Sequence, residues 1–278
     1  MSMDTPVFSV LIANYNNGQY LQEAITSVEN QSYTNWEIII VDDGSTDNSE
    51  AIYECLNDPR IHVFHHDDRQ NHGVGYTKHQ AVLHAHGQYC GFLDPDDALL
   101  PNALEVTTKI LDSDENISLA MSRCYYCDES LHIIAERPLF KNIELGYLES
   151  RNNLPGNFAA FRKKHYMCTG GIDITLKAGD DDDLYYKLEE VGKLSVCETF
   201  TYLYRRTPNS ITSNIDRSFY WTIIARHNAC IRRGLRPEDF SMRDWLTYLS
   251  ENRWHSRAYR IGKLILNPST YFKYMRNR

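Results

Sequence analysis

Three carboxylates, Asp94, Asp96 and Asp97, fall within four positions just after the apolar pair Phe92-Leu93. Carboxylates this crowded repel one another, so a cation or an outward-facing place in water must offset them. A hard divalent ion suits them, because Mg²⁺ and Mn²⁺ sites take one or two carboxylates together with the phosphates of a substrate. Read without chemistry, the same residues make a solvated loop in which Asp97 caps a helix beginning at Ala98. A second acidic block, Asp180 to Asp183, stands ahead of the helical stripe Leu184, Leu188 and Val191. A helix dipole favours one or two acids at such a start, but four adjacent ones repel.

The elements that must position these acids alternate in type. Val7 to Ala13 reads as a buried strand entering the polar turn Asn14-Tyr15-Asn16, and Leu21, Ala24, Ile25 and Val28 then repeat at helical spacing. Trp36 to Val41 is a continuous apolar, β-branched run, as expected of a strand covered on both faces, and it ends in Asp42-Asp43-Gly44-Ser45-Thr46-Asp47. Ser45 and Asp47 can cap a helix carrying Ala51, Ile52, Cys55 and Leu56. A strand over Ile61 to His65, a helix over Val74 to His86 and a strand over Gln88 to Leu93 follow. This alternation predicts an α/β fold with a parallel, doubly wound sheet, whose ligands lie beyond the carboxyl ends of the strands. The three polar turns should therefore converge on one crevice.

Five motifs then stand in order over about residues 5 to 213. They are Val10-Leu11-Ile12-Ala13-Asn14-Tyr15-Asn16; Trp36-Glu37-Ile38-Ile39-Ile40-Val41-Asp42-Asp43-Gly44-Ser45; Asn71-His72-Gly73 with Lys78-His79-Gln80-Ala81; Leu93-Asp94-Pro95-Asp96-Asp97; and Gly170-Gly171-Ile172-Asp173 with Asp180-Asp181-Asp182-Asp183-Leu184. In these the chain resembles the family 2 inverting glycosyltransferases, which have the GT-A fold, a Rossmann-like, mostly parallel sheet flanked by helices, and use nucleotide sugars.

The resemblance implies roles. Ala13 and Tyr15 would flank the base, and Asp43 would accept a hydrogen bond from a uracil ring N–H. Lys78, where the family usually has arginine, would be a point charge near the diphosphate. Asp94, Asp96 and Asp97 would share the ribose hydroxyls and the metal, with Asp97 or Asp96 the direct ligand of Mn²⁺ or Mg²⁺. Displacing a nucleoside diphosphate needs positive charge on the leaving oxygens and a base for the attacking hydroxyl. The base aligns with Asp181, and Asp180 stands where the family has glutamate. Tyr204-Arg205-Arg206-Thr207 departs from the family's Tyr-Arg-x-His by placing threonine where a histidine can reach the metal. Arg205 and Arg206 would contact phosphate or acceptor, or order the last loop.

Other features read as structural. Cys124 and Cys127 form a CxxC with no second pair at zinc spacing, and His62, His65, His66 and His72 look like strand-end and loop residues. The chain has 278 residues, 42% hydrophobic and 24% charged, and its net charge of −8 argues against nucleic-acid binding. Seven scattered cysteines, no signal peptide and no apolar run near 20 residues predict a reduced, cytoplasmic protein. After Glu251 the acids stop, while Arg253, Arg257, Arg260, Lys263, Lys273, Arg276 and Arg278 stand among aromatics. Such a segment suits peripheral contact with an anionic inner-membrane face, or docking on the acidic catalytic domain or on a second subunit in an oligomer.

The expected layout is a GT-A catalytic domain over 1–213, with a nucleotide-sugar half at about 1–100 and an acceptor half at about 101–213, then a C-terminal helical extension over 214–278. The expected activity is metal-dependent, inverting hexosyl transfer from a UDP-sugar to a saccharide or lipid-linked acceptor in surface polysaccharide synthesis. The sugar, the acceptor and the linkage would be chosen by the region from about Leu139 to His165. A non-catalytic nucleotide-sugar or glycan-binding module on the same fold is the alternative, disfavoured by retention of both acidic blocks. A Rossmann dehydrogenase is disfavoured because no Gly-x-Gly-x-x-Gly follows the first strand.

Overall fold

The computed structural model describes residues 6–137, 157–207 and 215–236, with backbone alone over 215–220. The basic aromatic run after Glu251 and the part of the expected acceptor region over 139–156 lie outside the described residues.

The first hundred residues fold as their periodicity predicts. Strands β1 (Phe8–Asn14), β2 (Trp36–Asp42), β3 (Ile61–His65) and β4 (Tyr89–Phe92) pair in parallel in the order β3-β2-β1-β4, with α1 (Gly18–Glu29), α2 (Ser49–Cys55) and α3 (Val74–His84) between them. Every residue of β2 is buried, as its apolar run requires. The stripe Leu21, Ala24, Ile25 and Val28 of α1 is fully buried against Val10, Ile12 and Ile38. Each such large aliphatic side chain contributes about 1.5–3 kcal/mol by leaving water. In register Asn14 lies opposite Asp42 and Asp42 opposite His65, so the strand ends are level and their turns open on one side.

Beyond β4 the sheet becomes mixed, where the alternation of elements predicted a parallel one. Strand β8 (Ala160–Arg162) inserts antiparallel between β4 and β6 (Ile117–Cys127). Strand β9 (Lys193–Arg205) runs parallel to β6, and the short strands β5 (Ala98–Leu99) and β7 (Ile133–Glu136) add antiparallel to β9 and β6. Asp97 does not cap a helix. Residues 98 and 99 extend as β5, and α4 (Ala103–Ser113) starts only after Pro101 and Asn102. The buried face of α2 also differs from the expected stripe. Ala51 and Cys55 are exposed, and Tyr53 turns inward because its hydroxyl donates to Asp42 Oδ2 at 2.7 Å.

Two buried charges bind the sheet to its connections. Glu37, 3% exposed in mid-β2, accepts from Ser9 Oγ at 2.6 Å and from the His86 N–H at 2.6 Å, fixing the turn that returns the chain into β4. Gly87 is required in that turn, since a Cβ there would lie 2.6 Å from Ser9 Oγ and 2.7 Å from Ser9 N. Arg162 donates to the carbonyls of Ile117, Leu111 and Asp114, closing the carboxyl end of α4.

Helices α5 (Lys163–Cys168), α6 (Asp180–Val191) and α7 (Ile215–Arg232) complete the described chain. Leu184, Tyr185 and Leu188 of α6 share one core cluster with Ala225, Ala229 and Cys230 of α7, so the start of the expected C-terminal extension is continuous with the catalytic core. Cys124 and Cys127 are buried in β6 as free thiols. Among the described residues no helix is long and apolar enough to cross a membrane.

Candidate active site

The turns after β1 and β2 interlock through side chains. Asn14 Nδ2 donates to Ser49 Oγ at 2.9 Å and Tyr53 Oη at 2.8 Å, and those hydroxyls pass the bonds on to Asp47 and Asp42. Asp47 also accepts the Gly18 N–H at 2.8 Å and the Ser49 N–H at 3.0 Å, so one carboxylate serves the first residues of both α1 and α2. Partly buried Ala13 closes β1 beside this network, and Tyr15 stands 47% exposed beyond it, open to stack on a ring.

Asp43 is not a vacant acceptor. Its two oxygens take Asn71 Nδ2 at 2.9 Å, the His72 N–H at 2.7 Å and the Gly73 N–H at 3.0 Å, with His66 Nε2 at 3.2 Å. A carboxylate has about four acceptor positions, so a base N–H reaches Asp43 only as one of these donors yields. His66 and His72 therefore belong to the support of the 71–73 loop, and among the described residues no group of three ligating side chains forms a metal cluster.

The two acidic blocks meet at Lys78. This lysine, 5% exposed on α3, lies 2.7 Å from Asp181 Oδ1, 3.4 Å from Asp180 Oδ2 and 3.9 Å from Asp94 Oδ1. Burial would lower the Lys78 pKa, but Asp180, Asp181 and Asp94 outweigh it and hold the ammonium charged well above its usual range. Burial pushes Asp94 and Asp180 up to about 6 despite the lysine. Phe92, Asn157, Phe158, Tyr185 and Tyr202 line the cleft with them. The sequence did not name these five as site residues, although Asn157 and Phe158 fall in the region expected to choose the acceptor. Phe92 on β4, Tyr202 on β9 and Tyr185 on α6 stand where the pattern predicts burial, and only the three-dimensional end of the sheet turns them toward an opening, while Asn157 and Phe158 lie in the bend ahead of β8.

The helix divides the four acids of the distal block. Asp180 and Asp181 face Lys78, Asp182 meets Thr222, and Asp183 pairs with Lys187 at 2.5 Å and Arg232 at 3.1 Å. The helical step of about 100° per residue spreads the four carboxylates over three sets of partners, with Asp180 and Asp181 sharing Lys78, which relieves the repulsion implied by the sequence.

Asp97 and Arg205 are both buried. Asp97 is 2% exposed, and its carboxylate is held by the Arg205 N–H at 2.7 Å and the Tyr202 hydroxyl, so it faces the protein and not the cleft. Burial, with Asp94 and Asp96 close by, keeps its pKa well above the usual carboxylate range. Arg205 is itself 2% exposed, and its guanidinium donates to the carbonyls of Asp96 and Glu129 and to the Glu23 carboxylate, tying the β4–β5 turn to the end of β9. Arg206 is exposed and lies 4.2 Å over the Tyr126 ring.

Asp94 and Asp96 remain partly open, and burial raises the pKa of both. Hard carboxylate oxygens that protein burial leaves under-compensated fit a hard divalent cation whose other ligands come from diphosphate and water.

A family model described as "Glycosyl transferase family 2" matches residues 9–170, more than half of the chain. The chain belongs to this family. It is 30% identical over 193 residues to the chondroitin synthase of Pasteurella multocida, covering 68% of this chain and 19% of that one. It is 32% identical over 192 residues to Escherichia coli K12 WcaA, a glycosyl transferase named for colanic acid biosynthesis, covering 66% of this chain and 67% of that one. The chain thus spans about a fifth of the length of the chondroitin synthase. Among solved structures it superposes on Staphylococcus aureus TarS 1–349 in complex with UDP, with a TM-score of 0.63, 21% identity and coverage of 80% of this chain and 65% of that one. The mannosyltransferase PcManGT of Pyrobaculum calidifontis, in complex with GDP-Man and Mn²⁺, gives a TM-score of 0.63 at 17% identity, covering 83% and 65%. The fold of this family 2 glycosyltransferase is therefore GT-A, and its β4–β5 turn and the start of α6 supply the acids of its cleft.

Proposed function

We propose that this glycosyltransferase moves a hexose from a UDP-sugar to a hydroxyl of a saccharide or lipid-linked acceptor, with inversion, in the synthesis of a surface polysaccharide. The observation that carries this reading is the Lys78 junction, which joins the loop of Asp94 and Asp96 to Asp180 and Asp181 in one cleft. The sugar types named for relatives, chondroitin and colanic acid, support a polysaccharide product.

Asp181, 45% exposed at the side chain, is the proposed base. It takes the proton of the acceptor hydroxyl as that oxygen bonds to the anomeric carbon. The bond from this carbon to the diphosphate oxygen breaks on the opposite face, and its electron pair leaves with UDP. Lys78, 2.7 Å from Asp181 Oδ1, offers its ammonium to the diphosphate. Tyr15 stacks on the base, and Asp94 accepts from the ribose hydroxyls. Asp96, with the diphosphate, would hold Mg²⁺ or Mn²⁺, which would supply positive charge to the leaving oxygens.

The test is thermal shift with UDP-N-acetylglucosamine, UDP-glucose and GDP-mannose, each with and without Mn²⁺, followed by release of nucleotide from the best donor. A Mn²⁺-enhanced shift with a UDP-sugar is expected, and Asp181→Asn should keep that shift while cutting turnover by about 10²–10⁴. A preference for GDP-mannose would overturn the assignment of the donor. Wild-type turnover in Asp181→Asn would remove the base.

A further inference from the structure

Helix α6 carries Asp180 and Asp181 in its first turn, and no side chain of its own caps it at the N-cap position, Gly179. Lys78 of α3 pairs with both acids of that turn, and α7 holds it from the other side of Asp181. Gly179 has φ +69°, and a Cβ added there would lie 3.0 Å from Thr222 N and 3.2 Å from Thr222 Cα, so the α7 backbone sits directly on the residue before the acids. Thr222 Oγ1 donates to Asp182 Oδ2 at 2.8 Å, one residue beyond Asp181. Further along, Arg226 Nε donates to Tyr186 Oη at 3.3 Å, and Arg233 donates to the Tyr186 carbonyl and to Glu189 at 2.8 Å each. The contact pairs advance together on both helices, so α6 and α7 run side by side in one direction and are joined along their length.

We propose that Thr222 is a positioning residue for the transfer step, setting the axial and rotational place of Asp181 through its bond to Asp182 and its seat on Gly179. The inference rests on Asp181 being the base. A helix rotates as a unit, so freeing Asp182 lets the first turn unwind or turn, and the neighbouring carboxylate moves with it. Reacting groups misplaced by about 1 Å cost about 10²-fold in rate. Donor contacts lie elsewhere, on the turns after β1, β2 and β4 and on α3, and keep their places.

The experiment follows UDP release from UDP-N-acetylglucosamine, or from whichever UDP-sugar gives the largest thermal shift, using the full chain with Mn²⁺. Thr222→Val is expected to lower kcat about 10-fold, below the limit for a 1 Å error, with donor KM and Tm little changed. Thr222→Ser, which keeps the hydroxyl, should restore kcat. Asp182→Asn, which keeps an acceptor oxygen, should retain activity where Asp182→Leu loses it, and this pair reads the same contact if Thr222→Val folds poorly. Wild-type kcat in both Thr222→Val and Asp182→Leu, with Asp181→Asn inactive, overturns the positioning role alone. Parallel loss of kcat, donor affinity and Tm in both also overturns it, by making the contact merely structural. An active Asp181→Asn overturns the base on which the inference stands.

Discussion

The backbone N–H of Arg205 donates to Asp97 Oδ1 at 2.7 Å across 108 residues of sequence. That bond fastens the acidic β4–β5 turn to the end of β9, and the Arg205 side chain reinforces it by donating from Nε to the Asp96 carbonyl at 2.5 Å. The last acid of the cluster is thus a fastening, while Asp94 and Asp96 stay partly open.

Separate substitutions should part these duties. Asp97→Asn keeps an acceptor for Arg205 and resembles the protonated acid that its raised pKa favours, so UDP affinity in Mn²⁺ should change less than about threefold. Asp96→Asn should abolish the increment in UDP affinity that Mn²⁺ brings. Isothermal titration with and without Mn²⁺ distinguishes them, and the reverse ranking would return the metal to Asp97.

Lys78 is the next test. Removing one partner of a buried ion pair leaves the others uncompensated, at a cost of about 3–5 kcal/mol. That figure is an upper bound here, because Asp181 and Asp94 are nearly half exposed and water screens them. Lys78→Met should lose donor affinity and at least an order of magnitude in turnover, whereas Lys78→Arg should retain both in part. Denaturant melts of the two variants would separate the stability loss from the binding loss, and a fully active Lys78→Met would sink the junction.

Asp43 bears on the nucleotide through a loop. Asp43→Asn would face the Asn71, His72 and Gly73 donors with an NH₂ where an oxygen stood, so the 71–73 loop should shift. A loss of UDP affinity of about 1–3 kcal/mol with little change in melting is expected, as for a donor set left unsatisfied. Unchanged UDP binding would show that the loop does not border the base.

Glu37 sets a pH dependence. Burial raises its pKa, but hydrogen bonds from Ser9 and His86 outweigh burial and leave it below the usual value of 4.5. A depressed carboxylate gives stability that is present above the unfolded pKa and lost as pH falls through the folded one. Urea midpoints should therefore fall as pH drops below about 4.5, and Glu37→Gln should be less stable at pH 7 yet show a shallower acid slope. An equal slope in both proteins would exclude Glu37 as a contributor.

How much of this was legible in the sequence depends on what each segment encodes. Strand β2 and the α1 stripe are written as hydrophobic periodicity and fold where that pattern says. The acids at both ends of the cleft are written as composition, and the Lys78 junction unites the turns they stand on. Direction is not written. Nothing in Asp94-Pro95-Asp96-Asp97 tells which carboxylate turns inward, because that follows from where β9 delivers the Arg205 N–H. Strand β8 is equally silent, since three residues are too few for a period, and its antiparallel insertion converts the sheet from parallel to mixed. The sequence leaves Arg205 open between ligand contact and ordering the last loop, because burial of arginine needs distant partners, here Glu23 and Glu129, that no local pattern announces.

Asp47 has a consequence for how the donor half comes apart. Because its carboxylate accepts the first N–H of α1 and the first of α2, neither helix can fray at its start without stranding the other's share of the charge. The two first turns form one cooperative opening unit rather than two independent ones. In native-state hydrogen exchange, the Gly18 and Ser49 amides should open with a common free energy and a common denaturant slope. Asp47→Ala should split them into two separate, weaker openings.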